Sequence, residues 1–294
     1  MKQTKDLAAP ALRAQPSESK VSIKKSVNIG KNSRAVRLLL ALTLPVILIV
    51  LWQLVGQRPG MAGIVPTPVQ VMKAWWDWIF ADPGMGLNPY LGTWASNVQY
   101  STMRVFQGFM LAVVLGVPLG LAIGWSRIAA QTLDPLVQGM RPIPITAWLP
   151  FSIALFGVRD FGSVFLIFIG GFYPIVVNTT QGARDVERNL VRAATMMGAS
   201  SFQVLRRVVL PAAMPSLFTG LRLGLGISWT AVIVSEMVAV KSGLGYVLWD
   251  AYYVGRMDIV LADMVSIGIM GYLSDRLIVI LEQRVLRWRI LQNY

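Results

Sequence analysis

The 294-residue sequence contains no cysteine and no histidine. Their absence excludes disulfides, thiol chemistry, histidine-ligated metal sites and any catalytic triad that needs an imidazole. A phosphate-binding loop is also missing, because Gly30-Lys31 is followed by Asn32 and lacks the earlier glycine of that motif. A metal site made only of carboxylates is compatible with the composition, but nothing in the sequence supports one. We therefore expect no catalytic residue, no ATP hydrolysis by this chain, no metal and no cofactor.

Charged residues are also scarce. They make up 14% of the chain, against 55% hydrophobic residues, and the mean hydropathy is +0.57. These values do not fit a soluble domain and indicate an all-α membrane protein in contact with lipid. The net charge of +13 is a feature of many nucleic-acid-binding proteins, but the basic residues collect at the ends of apolar runs and are not combined with a base-stacking surface. We predict no nucleic-acid partner.

The apolar runs predict six transmembrane helices. The first begins after residues 1–37, a stretch with nine Lys or Arg and no apolar run that we predict to be a disordered basic tail. This first predicted helix has 18 uncharged residues, close to the roughly 20 that are needed to cross a bilayer. The predicted spans are residues 38–55, 98–125, 133–156, 161–181, 216–240 and 259–281, which form a membrane domain over 38–281 with a loop at 182–215 and a basic end at 282–294.

The distribution of Lys and Arg predicts the orientation. With the amino terminus inside, the cytoplasmic segments hold eighteen Lys or Arg and the external segments five. This asymmetry agrees with the excess of positive charge that membrane proteins keep in their cytoplasmic loops. We expect a multi-pass protein with both termini and the loop 182–215 in the cytoplasm.

Two further features lie inside the predicted spans. Gly116, Gly120 and Gly124 recur every four residues, a spacing that lets helix backbones approach closely in lipid. Ionisable residues inside a membrane are candidates for a solute pathway, although structural pairing and snorkelling towards the surface are open alternatives. The candidates are Arg104, Arg141, Arg222, Glu236 and Asp275.

The loop 182–215 carries the longest motif. A short apolar face, formed by Leu190, Ala193, Ala194 and Met197, recurs at helical spacing opposite Arg192. We expect Asn189 to cap this first helix and Gly198 to end it in a left-handed conformation. A second helix is predicted to begin with a capping box, Ser200 and Gln203, and to stop at Pro211.

This loop resembles the EAA loop of permease subunits in bacterial ATP-binding-cassette (ABC) importers. The family pattern is Glu-Ala-Ala, three residues, Gly, nine residues, Ile, one residue, Leu-Pro; here Arg192 replaces the Glu and Val208 the Ile. In the family the loop is a coupling helix that docks into a groove on the ATPase subunit. The resemblance implies an ATPase-docking set of Leu190, Arg192, Ala193, Ala194, Met197, Gly198, Leu210 and Pro211.

Other segments, including Arg104-Val-Phe-Gln-Gly-Phe and Leu115-Gly-Val-Pro-Leu-Gly, look like the nitrate, sulfonate and bicarbonate branch of that family. The resemblance covers roughly residues 60–290. It implies a type I importer fold in the bacterial inner membrane, with two permease copies as a homodimer, two ATPase subunits, and a periplasmic or lipid-anchored binding protein that delivers the solute. The alternative is an ion-coupled secondary transporter in which Glu236 and Asp275 bind protons or cations.

Overall fold

The structure is a computed structural model, which describes residues 34–58, 60, 64–83 and 88–287. Residues 1–33 of the predicted basic tail therefore lie outside the described residues. Residues 288–294 of the predicted basic end lie outside them as well. The chain divides into two units, residues 1–49 and residues 50–294. In its described part the first unit consists of the beginning of α1, and all other helices belong to the second.

The described residues are helical, with no strand among them. The helices are α1 (Arg34–Gly56), α2 (Pro68–Phe80), α3 (Trp94–Trp125), α4 (Arg127–Thr132), α5 (Asp134–Met140), α6 (Ile145–Phe156), α7 (Asp160–Arg184), α8 (Arg188–Met196), α9 (Ser201–Val204), a π-helix (Leu205–Val209), α10 (Leu210–Ala239), α11 (Leu244–Tyr253) and α12 (Met257–Val285).

Four of these helical segments are long and apolar enough to cross a membrane: α3, α7, Ser201–Ala239 and α12. They correspond to the second, fourth, fifth and sixth predicted spans. The first predicted span corresponds to α1, and the third is not one helix. It is divided into α5 and α6, because Pro142 and Pro144 remove two backbone donors and disfavour the helical conformation of the residues before them.

Helix α7 forms the centre of the bundle between α3 and α10, and its Leu166, Ile167 and Ile175 are fully buried. On the α3 side, a Cβ added at Gly120 would lie 2.7 Å from Cβ of Thr179 and 2.8 Å from the carbonyl oxygen of Val176. Gly116 and Gly124 make similar approaches to the same helix. The packing role predicted from their four-residue spacing is confirmed.

Glycines also allow a close approach between α7 and α10. An added Cβ at Gly220 would lie 2.8 Å from Cβ of Asn178, and one at Gly224 would lie 2.9 Å from the carbonyl oxygen of Gly171. Close contact between backbones replaces the hydrophobic effect, which drives no association between helices once both are surrounded by lipid.

The helix that begins at Ser201 continues into α10, so the prediction that Pro211 ends it is wrong. A π-helical turn precedes the proline, and the amide of Leu210 donates to the carbonyl oxygen of Leu205. In a regular α-helix, a proline ring clashes with the carbonyl oxygen four residues earlier. The wider π turn displaces that carbonyl, so Pro211 occupies the first turn of α10.

Candidate functional site

Arg104 and Glu236 form a buried ion pair at the end of α7 that lies farthest from α8. Nη1 of Arg104 is 2.8 Å from Oε1 of Glu236; Glu236 is fully buried and Arg104 is 5% exposed. The guanidinium also donates through Nε to Oδ1 of Asp160, at 2.8 Å. One arginine side chain therefore joins α3 to α7 and α10.

The carboxylate of Glu236 is held from a second side by the start of α11. It accepts hydrogen bonds from the amide of Gly245, at 2.9 Å, and from the hydroxyl of Ser101, at 2.8 Å. Arg104 in turn donates to the carbonyl oxygen of Ser242, at 2.8 Å. A buried charge with this many partners is compensated within the protein. The geometry favours structural pairing over a pathway role for Arg104 and Glu236.

Gly243 provides a direct test of this arrangement. It has φ 106° and ψ 173°, a conformation essentially limited to glycine, and an added Cβ would overlap the carboxylate of Glu236. We expect Gly243→Ala to lower the thermal stability of the detergent-solubilised protein, by about 1–3 kcal/mol for the overlap in addition to the backbone strain.

Gly255 is the matched control for Gly243→Ala, because it also has a positive φ, of 73°, but no atom of the described residues lies within 4 Å of an added Cβ. Gly255→Ala should cost only about 1–2 kcal/mol of left-handed strain. Equal losses in the two variants would contradict the proposed contact between Gly243 and the carboxylate.

Arg222 and Asp275 form a second ion pair, between α10 and α12. The guanidinium donates from Nε to Oδ1 at 2.8 Å and from Nη2 to Oδ2 at 3.1 Å. The two side chains are 46% and 36% exposed, so the pair lies on the surface of the chain. Glu236 and Asp275, the two residues that a secondary transporter would use for ions, are thus each bound to an arginine.

Arg141, the remaining intramembrane candidate, lies in the break between α5 and α6. It lines a cavity of about 370 Å³ together with residues of α7 and α10. No ion pair or side-chain hydrogen bond of Arg141 is present in the described part of the chain. The five candidates therefore do not form one site.

Helix α8 has an inner and an outer face. Ala194 is buried in a small core with Val204, Val209 and Ala213, and Val191 packs against the same core. The outer face is exposed and apolar: Leu190 is 51%, Met196 87% and Met197 82% exposed. The predicted face of Leu190, Ala193, Ala194 and Met197 is thus divided, because the helix turns Ala194 inwards and leaves the other three outside.

The ends of α8 correct one prediction and confirm another. Glu187, not Asn189, occupies the N-cap position, and its side chain makes no capping hydrogen bond. Gly198 has φ 83°, as a left-handed C-cap requires. The predicted capping box of Ser200 and Gln203 is present in both directions.

The predicted docking residues are therefore only partly brought together. Leu190, Arg192, Ala193, Met197 and Gly198 are exposed on α8 and its C-terminal turn. Leu210 and Pro211 lie half-buried in the first turn of α10, beyond the π-helix. Phe202 is 69% exposed and adds an apolar side chain to the loop that the motif does not include.

Sequence reasoning missed Asp263 and Tyr90. Asp263 of α12 is fully buried, and neither carboxylate oxygen has a hydrogen-bond partner among the described residues; the rule that selected Asp275 would also have selected it. The hydroxyl of Tyr90 donates to Oδ2 of Asp250 at 2.7 Å. Burial and this hydrogen bond raise the pKa of Tyr90 above its ordinary value. No short-range pattern indicates a contact across 160 residues.

A bundle of apolar helices around α7, with an exposed amphipathic helix on one connecting loop, is the architecture of a polytopic membrane protein. Residues 116–287 match the family of binding-protein-dependent transport system inner membrane components. The chain belongs to that family, and it is a permease subunit of an ABC importer embedded in the inner membrane.

Relatives agree with the branch predicted from the sequence. The chain is 37% identical to the nitrate import permease protein NrtB of Synechocystis sp., over 81% of this chain and 86% of the relative. It is 32% identical to the putative aliphatic sulfonates transport permease protein SsuC of Bacillus subtilis, over 84% and 87%. The resemblance to the nitrate and sulfonate branch is confirmed.

A solved structure supports the fold. An inward-facing conformation of the MetNI methionine ABC transporter matches with a TM-score of 0.61 and 20% identity, over 68% of this chain and 99% of that chain. The predicted all-α, type I importer permease fold is confirmed.

Proposed function

We propose that this chain forms the membrane pathway of an ATP-driven importer for a small oxyanion. Two copies enclose the pathway, two separate ATPase subunits supply the energy, and an external binding protein delivers the solute. The two relatives are named for the import of nitrate and the transport of aliphatic sulfonates, which are anions with several equivalent oxygens. We infer the same chemical class here: nitrate, a sulfonate or bicarbonate.

The exposed face of α8 carries the proposal of an ATPase partner. Leu190, Met196, Met197 and Phe202 place large apolar side chains in solvent on a loop between two membrane helices. Such a patch marks a protein-binding surface, and we define Leu190, Arg192, Ala193, Met196 and Met197 as the docking surface. Arg192 lies on it, exposed. Both open interpretations of Arg192 fit this position: contact with a carboxylate or aromatic face of the ATPase, or solvation.

The orientation follows from charge. Besides Arg192, the segment between α7 and α10 has Arg188, Arg206 and Arg207 exposed. A cytoplasmic position satisfies the positive-inside rule and places the docking surface where ATP is available. We propose that both termini and the loop 182–215 are cytoplasmic, within the predicted membrane domain 38–281.

The opposite end of the bundle suits an anionic solute. A cleft of about 530 Å³ is lined by Arg159 and Lys241 as well as Arg104. Asp160 of the lining and the buried Glu236 compensate Arg104, so the excess positive charge of the cleft comes from Arg159 and Lys241. A cleft with excess positive charge raises the local concentration of anions. In the proposed orientation this cleft is the external mouth.

Met197→Asp tests the docking surface. Met197 is 82% exposed, so the variant should fold and insert normally. An unpaired carboxylate buried against the ATPase costs several kcal/mol, and we expect at least about a tenfold loss of ATPase binding or of solute-stimulated ATP hydrolysis. Co-purification with the ATPase and hydrolysis by the reconstituted complex are the measurements.

Two other variants serve as comparisons. Ile128→Asp changes an apolar residue of α4 that is 76% exposed and lies outside the docking surface, and it should leave assembly unchanged. Ala194→Asp places its charge in the core of the loop, so thermal stability should fall first. Normal assembly and hydrolysis in Met197→Asp would refute the docking surface.

A further inference from the structure

The break between α5 and α6 opens a cavity on the surface of the bundle, and Arg141 is exposed on its wall. Residues 141–144 form one wall, Tyr173 and Asn178 of α7 form another, and Leu223 and Ile227 of α10 form a third side of this open cavity of about 370 Å³. These positions fall near the middle of α7 and α10. The cavity therefore lies near the middle of two helices that are long and apolar enough to cross a membrane.

Arg141 places a positive charge on the cavity wall without an acidic partner among the described residues. Arg104 and Arg222 each bind a carboxylate, whereas Arg141 has no ion-pair partner in the described part of the chain, and no acidic residue lines the cavity. An arginine inside a membrane is costly unless a partner or water compensates it. A lone guanidinium on the wall of a cavity can be compensated by an anion.

The local backbone adds a further donor. Helix α6 begins at Ile145, immediately after Pro144. The amide of Ile145, which belongs to the cavity lining, donates to no backbone carbonyl within the ranges that the structure describes. Free amides at the start of a helix attract negative charge, and broken membrane helices place them towards anionic solutes in other transporters.

We propose that this cavity is a binding site for a small oxyanion in transit, with the Arg141 guanidinium as its principal ligand. The planar guanidinium offers paired donors that match two oxygens of a nitrate, bicarbonate or sulfonate group. The assignment to transported solute rests on the proposed function; the anion site itself rests on the cavity and on Arg141.

The remaining lining of the proposed site suits more than one oxyanion. Ile169, Val177 and Leu223 make part of the wall apolar. A short alkyl chain of a sulfonate has an apolar surface to contact, whereas nitrate and bicarbonate need only the polar side. A single arginine without further charged ligands also keeps affinity modest, as a site on a transport path requires.

The experiment uses the full chain assembled with its cognate ATPase in detergent. Thermal unfolding is measured in sodium nitrate, sodium bicarbonate and sodium methanesulfonate, each at the same ionic strength, for the wild type, Arg141→Gln and Arg127→Gln. Arg127 is the control because it is an arginine of α4 outside the cavity. A concentration-dependent stabilisation by at least one salt should occur in the wild type and in Arg127→Gln, and should be lost in Arg141→Gln.

A second variant keeps the test decisive if Arg141→Gln fails to fold. Leu223 is 53% exposed and lines the cavity, so Leu223→Trp reduces the space while Arg141 keeps its charge. The salt concentration that gives half of the maximal stabilisation should rise about tenfold or more. The proposed site is overturned if no salt stabilises the wild type. It is also overturned if the stabilisation is unchanged in whichever of Arg141→Gln and Leu223→Trp folds.

Uptake by proteoliposomes that contain the complex and its binding protein separates this inference from the proposed function. Wild-type uptake of one of the three anions, reduced at least tenfold in an Arg141→Gln complex that still assembles with its ATPase, supports both. Anion-dependent stabilisation through Arg141 without uptake of any of the three anions retains the site and refutes the proposed oxyanion import. Uptake that is equal in wild type and Arg141→Gln refutes the site alone.

Discussion

Replacing Arg104 with leucine is expected to cost about 3–5 kcal/mol of stability, because it leaves the fully buried carboxylate of Glu236 without its cation. The same change removes the hydrogen bonds to Asp160 and to Ser242, which join α7 and the segment before α11. We expect a large fall in the unfolding temperature of the detergent-solubilised protein and reduced yield in the membrane.

Two further variants test the reason for that loss. Arg159→Leu removes an exposed arginine at the same end of the bundle and should change stability by no more than about 0.5 kcal/mol. The double variant Arg104→Leu/Glu236→Leu replaces the pair with apolar groups and should recover part of the loss. Recovery is incomplete, because Ser101 and the Gly245 amide lose their acceptor. If Arg104→Leu alone were as stable as the wild type, this account would be wrong.

The second large effect is expected at Gly120. A leucine there would meet Cβ of Thr179 and the carbonyl oxygen of Val176, at 2.7 and 2.8 Å from its first side-chain atom. A carbonyl oxygen within a helix cannot move without moving the helix, so α3 and α7 must separate. Overpacking lowers stability by about 1–3 kcal/mol where side chains can adjust. Because the backbone of α7 cannot adjust here, we expect Gly120→Leu to lower stability by more than that range.

Gly226 is the matched control for Gly120. It lies inside α10, and in the part of the chain that the structure describes no atom is within 4 Å of an added Cβ. Gly226→Leu should be neutral or stabilising, because leucine forms helices better than glycine by up to about 1 kcal/mol. Thermal unfolding and uptake are measured for both variants. Gly120→Leu with unchanged stability and altered solute preference would place this face on the solute pathway.

Local patterns in the sequence predicted much of the loop between α7 and α10. The left-handed Gly198 and the capping box of Ser200 and Gln203 depend on residues within a few positions of one another. Asn189 and Pro211 also have the right local chemistry, yet neither acts as predicted. Glu187 occupies the N-cap, and a π turn carries the helix past the proline, because packing of the loop against Ala183 and Ala213 outweighs such preferences.

The sequence by itself determined the class of the protein: apolar runs, scarce charge and glycines at four-residue intervals specify a membrane bundle, and the EAA-like motif identifies its family. Only the tertiary structure decided which charges are paired. Arg104 and Glu236 are 132 positions apart. Arg141 is likewise a charged residue in a predicted span, yet it lines a cavity and has no ion-pair partner among the residues that the structure describes. Periodicity constrains neighbours along one helix, whereas the partner of a buried charge depends on how different helices pack.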